Sequence, residues 1–175
     1  MARIIGYIAA SLDGFIAGPN DDLDWLTRRQ DLVLGPYDYN LFIKRIRTVV
    51  MGRATYDWLA RQDFAWPYAG QRSIVVTSRP LADPKGPLET RSDVEALIAE
   101  LRDLEDGDVW MVGGGSLQMA FIERGALDEL EVYVISQLLG GGTPLFPPTG
   151  FARPLRLMSA ETLGTGGARL HYSFA

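Results

Sequence analysis

The sequence predicts an α/β protein built on a largely parallel sheet. Three observations lead there: short runs rich in β-branched and aromatic residues alternate with stretches of helical periodicity, polar or glycine turns follow several of those runs directly, and the chain closes on two strand-like segments around a glycine turn. With 47% hydrophobic and 22% charged residues in 175, the composition is that of an ordinary globular chain, expected to form one domain over residues 1–175.

The first strand is expected over Arg3–Ala9. The apolar N-terminal run has no proper basic stretch before it and breaks at Asp13-Gly14, so it reads as a strand rather than a signal peptide. Residues 18–40, rich in Gly, Pro, Asp and Trp, read as a long loop of the kind that carries function. Tyr39, Phe42, Ile43 and Ile46 repeat the i, i+3, i+4, i+7 pattern of a helix. A strand over Thr48–Met51 runs into Gly52-Arg53-Ala54-Thr55, and residues 60–72 form a second long loop. The strand Ser73–Thr77 runs into Ser78-Arg79. Ser92 and Glu95 have the spacing of a capping box, followed by Val94, Leu97, Ile98 and Leu101 on one helix face and Gly107 as the stop. The strand Val109–Val112 enters Gly113-Gly114-Gly115-Ser116, which opens a helix with Leu117, Ala120 and Phe121 facing inward. A strand over Glu129–Ile135 is followed by Arg153–Thr162 and Ala168–Phe174. These two flank the glycine turn at 164–167 and predict an antiparallel hairpin at the sheet edge.

Several classes of chemistry are excluded by composition. The absence of cysteine removes disulfides, thiolate metal sites and cysteine nucleophiles. His171 is the one histidine, which leaves no His-rich metal site and no mid-chain Ser-His-Asp triad; it reads as an ordinary strand residue, and no metal is expected. A net charge of −5 argues against a nucleic-acid surface. No apolar window reaches the roughly 18 residues that a membrane span requires, so no membrane partner is expected and the chain is read as cytoplasmic.

Three polar turns follow three predicted strands, so all three are expected along one rim of the sheet, where open α/β sheets bind ligands. In the glycine run, backbone without Cβ atoms can approach a pyrophosphate, and free N–H groups at a helix start attract anions. Arg53 and Arg79, with Thr55 and Ser78, supply charge and hydroxyls for a further phosphate such as the 2′-phosphate of NADPH. The run departs from the dinucleotide fingerprint G-x-G-x-x-G, because Gln118 stands at its last position.

SLDGFIAGPNDDLDWL at 11–26, VVMGRATY at 49–56, VVTSRP at 75–80, VWMVGGGSL at 109–117 and LDELEVYVISQLLGGGTPLF at 127–146 occur in this order. Through them the chain resembles the dihydrofolate reductase superfamily, which includes the reductase domain of the bifunctional riboflavin-pathway deaminase-reductase. The resemblance implies a three-layer fold: a mixed, mostly parallel eight-stranded sheet with helices on both faces, about four in all, and NADPH across its carboxyl rim. It matches Gly52, Arg53 and Thr55 to the first phosphate-binding turn, and Thr77, Ser78 and Arg79 to the second, near the adenosine ribose phosphate. Gly113, Gly114, Gly115, Ser116 and Leu117 match the glycine turn under the pyrophosphate. Ala9 would approach the nicotinamide, while Leu12, Asp13, Phe15 and Ile16 would sit on the loop that closes over it.

At the substrate end, hydride transfer requires a hold on the ring and a route for a proton to its heteroatom. Asp38, with Phe42 one turn later, resembles the carboxylate of folate reductases that pairs with the pterin ring; an aspartate complementing a helix dipole is the alternative. Asp13 is the rival, because the riboflavin-pathway reductase carries an aspartate in its own S-x-D-G motif; a turn-former before Gly14 is the alternative there. Trp25 is expected to wall the ligand. Tyr133 falls where folate enzymes keep a small hydroxyl residue, or is an ordinary strand tyrosine. Trp58, Trp66 and Tyr68 either floor the pocket or pack in the core. The segment TYDWLARQDF replaces the D-D-P-x-L-x-x-R pattern of riboflavin-pathway reductases, and no arginine matches the folate glutamate clamp. Three readings stand: an NADPH-dependent reductase of the riboflavin type acting on a pyrimidine-type substrate, a dihydrofolate or other pterin reductase, and an NADPH-binding protein without turnover. A homodimer is expected by resemblance.

Overall fold

In the computed structural model, which describes residues 1–174, an eight-stranded sheet carries the chain. The elements follow in order: β1 (Ile4–Ser11), β2 (Phe15–Ala17), α1 (Asp24–Thr27), α2 (Tyr39–Phe42), β3 (Ile46–Gly52) and α3 (Arg53–Ala60). Then come β4 (Arg72–Val76), β5 (Glu89–Arg91), α4 (Val94–Arg102), β6 (Asp108–Gly113) and α5 (Gly115–Glu123). The chain ends on β7 (Glu129–Ile135), β8 (Thr143–Pro144), β9 (Arg156–Thr162) and β10 (Gly167–Ser173). The sheet order is β5-β4-β3-β6-β1-β7-β10-β9, with β2 and β8 paired apart as a small antiparallel ribbon. Only β10 runs against its neighbours, so the sheet is mixed and mostly parallel, with the expected C-terminal hairpin at its edge.

The central strands are apolar on both sides because both faces are covered. On one face Ile4, Val50, Ile74, Val109, Met111 and Leu130 pack under α4 and α5. On the other, Ile5, Val49, Met51, Val75 and Trp110 meet α3, Phe42 and the buried rings of Trp66 and Tyr68. Trp66 donates its indole N–H to Ser73 Oγ at 3.2 Å, and Tyr68 meets Trp110 edge-on, so these two rings belong to the core. A third cluster, Tyr133, Ile135 and Leu163, carries Trp25, Leu34 and Tyr37 above it.

Local readings were overridden in three places. The helical periodicity from Tyr39 to Ile46 yields one α-turn and a 3-10 turn over Ile43–Arg45, and Ile46 already opens β3. The β-branched run that follows pairs with β6 from Ile46 and with β4 from Thr48, and the complete burial of Ile46 outweighs helix propagation. Helix α4 is capped by Asp93, which accepts from Ala96 N at 3.1 Å, rather than by Ser92; Glu95 instead pairs with Arg124 at 2.6 Å. Strand β5, only three residues long, has too little pattern to announce itself.

Gly6 illustrates the packing tolerance. A Cβ there would lie 2.5 Å from Leu130 Cδ1, so the fully buried leucine of β7 fills the space that this glycine leaves. Leu130→Ala is therefore expected to open a cavity over β1 and to lower stability by about 3 kcal/mol, read as a reduced denaturant midpoint at unchanged slope.

Candidate active site

Strands β4, β3 and β6 are adjacent and parallel, so their carboxyl ends share one rim: Gly52 pairs with Val76, and Met51 with Gly113. All three sequence-marked turns come together there. Helices α3 and α5 start at this rim, with Gly52 and Gly114 at their N-caps and no side chain capping either. Two sets of first-turn N–H groups, each at the positive end of a helix dipole, are thus left for an anion.

The glycine run divides into two parts. A Cβ on Gly113 or Gly114 would meet nothing nearer than Thr55 Oγ1, at 3.6 Å, so the surface above them is open backbone floored by a hydroxyl. Gly113 also sits at φ 143°, a conformation that favours glycine. Gly115 serves packing instead, since a Cβ there would come within 2.6 Å of the Pro144 carbonyl oxygen and 2.8 Å of that of Leu145. Beyond it, Ser116 is exposed and Leu117 is buried.

The two rim arginines differ. Arg53 is partly committed, donating to Asp57 Oδ1 at 2.7 Å and to the Pro80 carbonyl at 3.3 Å. Arg79 is exposed and makes no ion pair among the described residues. Its backbone is fixed by Thr77, whose Oγ1 accepts from Arg79 N at 3.1 Å, while Ser78 stands exposed between them. An open glycine floor, two uncapped helix starts, hydroxyls and a free guanidinium fit a polyphosphate-bearing cofactor in charge and in shape.

Further along the rim, Ala9 of β1 pairs with Tyr133 of β7. Above them lies the segment from Trp25 to Phe42. Trp25 packs on this cluster with its indole Nε1 buried and without an acceptor among the described residues, a donor that a ligand or a water would satisfy. Asp38 caps α2: its Oδ1 accepts from Asn40 N at 2.8 Å and from Asn40 Nδ2 at 2.9 Å, while Oδ2 makes no hydrogen bond among the described residues. Phe42 is buried and stacks on Tyr7 with ring centroids 4.1 Å apart. The Tyr133 hydroxyl turns inward, donating to the Tyr37 carbonyl at 3.1 Å, and burial raises its pKa above the ordinary phenol value. Trp58 packs half-buried against the aromatic core.

Asp13 stands elsewhere. Its carboxylate accepts from Ser11 Oγ at 2.6 Å, from Gly140 N at 2.7 Å and from Leu139 N at 3.1 Å, and so ties the turn after β1 to the loop after β7. The adjoining ribbon β2–β8 holds Ile16 half-buried against the core. Residues that the sequence did not single out meet at the segment that leads into Asp38: Tyr37, with Tyr7 and Arg169 against it and Glu131 paired to Arg169. The available signal was Glu129, Glu131 and Tyr133 at alternate positions of a strand whose other residues are apolar.

Comparison with known proteins gives consistent results. The family model of the RibD C-terminal domain matches residues 2–168. The uncharacterized protein YwjB of Bacillus subtilis is 31% identical over 171 residues, covering 97% of this chain and 97% of its own length. The crystal structure of a Shewanella sp. PV-4 protein assigned to riboflavin biosynthesis superposes with a TM-score of 0.80 at 27% identity, covering 99% of this chain and 98% of that one. Dihydrofolate reductase from Enterococcus faecalis, solved with NADP(H), shares the fold with a TM-score of 0.68 at 20% identity, covering 98% of this chain and 95% of that one.

The Asp13 carboxyl is held down to about 2, first by the Ser11 hydroxyl and then by the Gly140 amide. A carboxyl depressed on folding contributes its stabilisation above the ordinary value of 3.8 and loses it as pH falls through about 2. The amide shifts of Leu139 and Gly140 are therefore expected to titrate together with a midpoint near 2. In Asp13→Asn those two amides should exchange faster with solvent at neutral pH; unchanged exchange would remove the clamp.

Proposed function

The chain belongs to the RibD C-terminal domain family, and from that premise we propose that it is an NADPH-dependent reductase acting on a pyrimidine-type ring of the riboflavin pathway class. The observation that carries the cofactor half is the open backbone of Gly113 and Gly114 between two uncapped helix starts. The NADP(H) bound by the Enterococcus folate reductase, which has the same fold, supports the choice of a nicotinamide nucleotide.

Bound NADPH supplies the hydride. In this reading Gly113, Gly114 and Ser116 receive the pyrophosphate on backbone N–H groups, with Gly52, Thr55 and Leu117 shaping the floor. Arg79, Ser78 and Thr77 take the ribose 2′-phosphate, with Arg53 alongside. Ala9 and Ile16 border the nicotinamide. Trp25 and Phe42 hold the acceptor ring, and Trp25 offers its unpartnered indole N–H to a polar ring atom or to a bridging water. Tyr133 takes part from below, since its hydroxyl is engaged by Tyr37. Asp38 presents Oδ2 to the ring, where a proton must reach the heteroatom, while Asn40 fixes Oδ1. A pterin reductase is the second reading, favoured by Asp38 and Phe42 standing one turn apart on α2.

The test is a titration with NADPH and NADH followed by tryptophan fluorescence, then a screen of pterins and aminopyrimidines for loss of nicotinamide absorbance. Arg79→Ala is expected to weaken NADPH binding about tenfold while leaving NADH nearly unchanged. An unaltered preference would refute the 2′-phosphate assignment. Asp38→Asn is expected to cut turnover about a hundredfold or more with NADPH affinity retained. NADPH binding with no turnover on any ring would leave a binding protein and overturn the reductase reading.

A further inference from the structure

The element that bears Asp38 cannot hold itself in place. Helix α2 is a single turn of four residues, far below the length at which a helix is stable in isolation, so its height above the sheet is set by whatever grips its two ends.

Both ends are gripped, and from the same patch of sheet. At the N-terminal end the Tyr37 carbonyl accepts from Tyr7 Oη at 3.3 Å and from Tyr133 Oη at 3.1 Å; Glu131 Oε2, at 3.3 Å, is the more distant of the two acceptors within reach of the Tyr133 hydroxyl. Those phenols come from the adjacent strands β1 and β7 and touch each other, with ring centroids 4.6 Å apart. The ring of Tyr37 lies over the Arg169 guanidinium at 4.4 Å. Arg169 in turn donates to Glu131 Oε2 at 2.8 Å in an ion pair whose side chains are only 7% and 8% exposed. At the other end Arg45, on the 3-10 turn that follows α2, donates to Glu131 Oε1 at 3.1 Å. One buried carboxylate therefore anchors both ends of the 37–45 segment, directly through Arg45 and through Arg169 under Tyr37.

We propose that Tyr7 and Tyr133 are positioning residues, which hold the Tyr37 carbonyl and so fix Asp38 at the substrate end. The proposal rests on the reductase reading for what Asp38 does, but not for the latch itself. Burial raises the pKa of both phenols, first through desolvation, so each stays a hydrogen-bond donor throughout the neutral range. Their rings do separate work: Tyr7 stacks on Phe42 at 4.1 Å and meets Trp110 edge-on. Phenylalanine at either position keeps that packing and removes only the hydroxyl.

The experiment is the double variant Tyr7→Phe/Tyr133→Phe in the full chain, read by hydrogen exchange and by kinetics. Amides of residues 37–42 are expected to exchange about tenfold faster, with β1, β7 and β10 unchanged. NADPH affinity is expected to stay as in the parent, while kcat on whichever ring the screen identifies falls about tenfold or more. Unchanged exchange over 37–42 overturns the latch, as does acceleration spread evenly through the sheet, which marks general loosening. Local acceleration with kcat intact overturns the positioning role. Local acceleration in a protein that turns over no ring supports the latch and overturns the reductase reading instead.

Discussion

The structure depends on one constraint: its parallel sheet is buried on both faces. Val49, Val50, Met51, Ile74 and Val75 are wholly inaccessible, so the middle of the sheet has no surface on which to bind anything. Chemistry is left to the places where strands end. At the carboxyl ends of β3 and β6 the register brings Met51 against Gly113, and the two helices that begin there point their free N–H groups to the same side. In the proposed reading, an anion at this rim would be met mostly by backbone, with Thr55, Ser78 and Arg79 adding side-chain detail.

Among the described residues, the charged groups buried in this interior are the ion pair of Glu131 and Arg169. Two charges removed from water are a liability unless each keeps its partners, and breaking such a pair from one side is far more costly than never having made it. Here Glu131 receives Arg169 and Arg45, and Arg169 reaches Glu161 as well as Glu131. Saturated in this way, the pair works as a fixed point against which a short and otherwise weak segment is located. The aromatic rings of Tyr7, Phe42, Tyr39 and Trp110 fill the space beside it and limit how far that segment can tilt.

What the sequence revealed and what it hid follow the same division. The strand over Glu129–Ile135 was read to the residue, because its β-rich run is bounded by Asp128 and Ser136. The three polar turns were legible as well, since each directly follows its strand and adjacency in a parallel sheet aligns strand ends. Asp38 was legible as a helix N-terminal aspartate, though the helix behind it proved to be one turn, because the pairing of Ile46 with β6 is invisible from periodicity alone. The Glu131–Arg169 pair was hidden for a simpler reason. Its members lie on different strands: His171 stands directly across from Glu131 and Arg169 across from Tyr133, so the pair closes diagonally, in a register that no local pattern specifies.

The two aspartates marked in advance differ in a way that bears on chemistry. Asp13 receives donors on both oxygens, from a hydroxyl and two backbone amides, which favours the ionised form and uses up its lone pairs in holding two loops together. A carboxylate so engaged has little left to offer a substrate. Asp38 is held by one residue through one oxygen, and its segment is fixed by groups that do not touch the carboxylate. Orientation is thus supplied from behind while the second oxygen stays available. For the proposed reaction that separation would matter, because a donor that located the carboxylate by binding Oδ2 would compete with the ring for it.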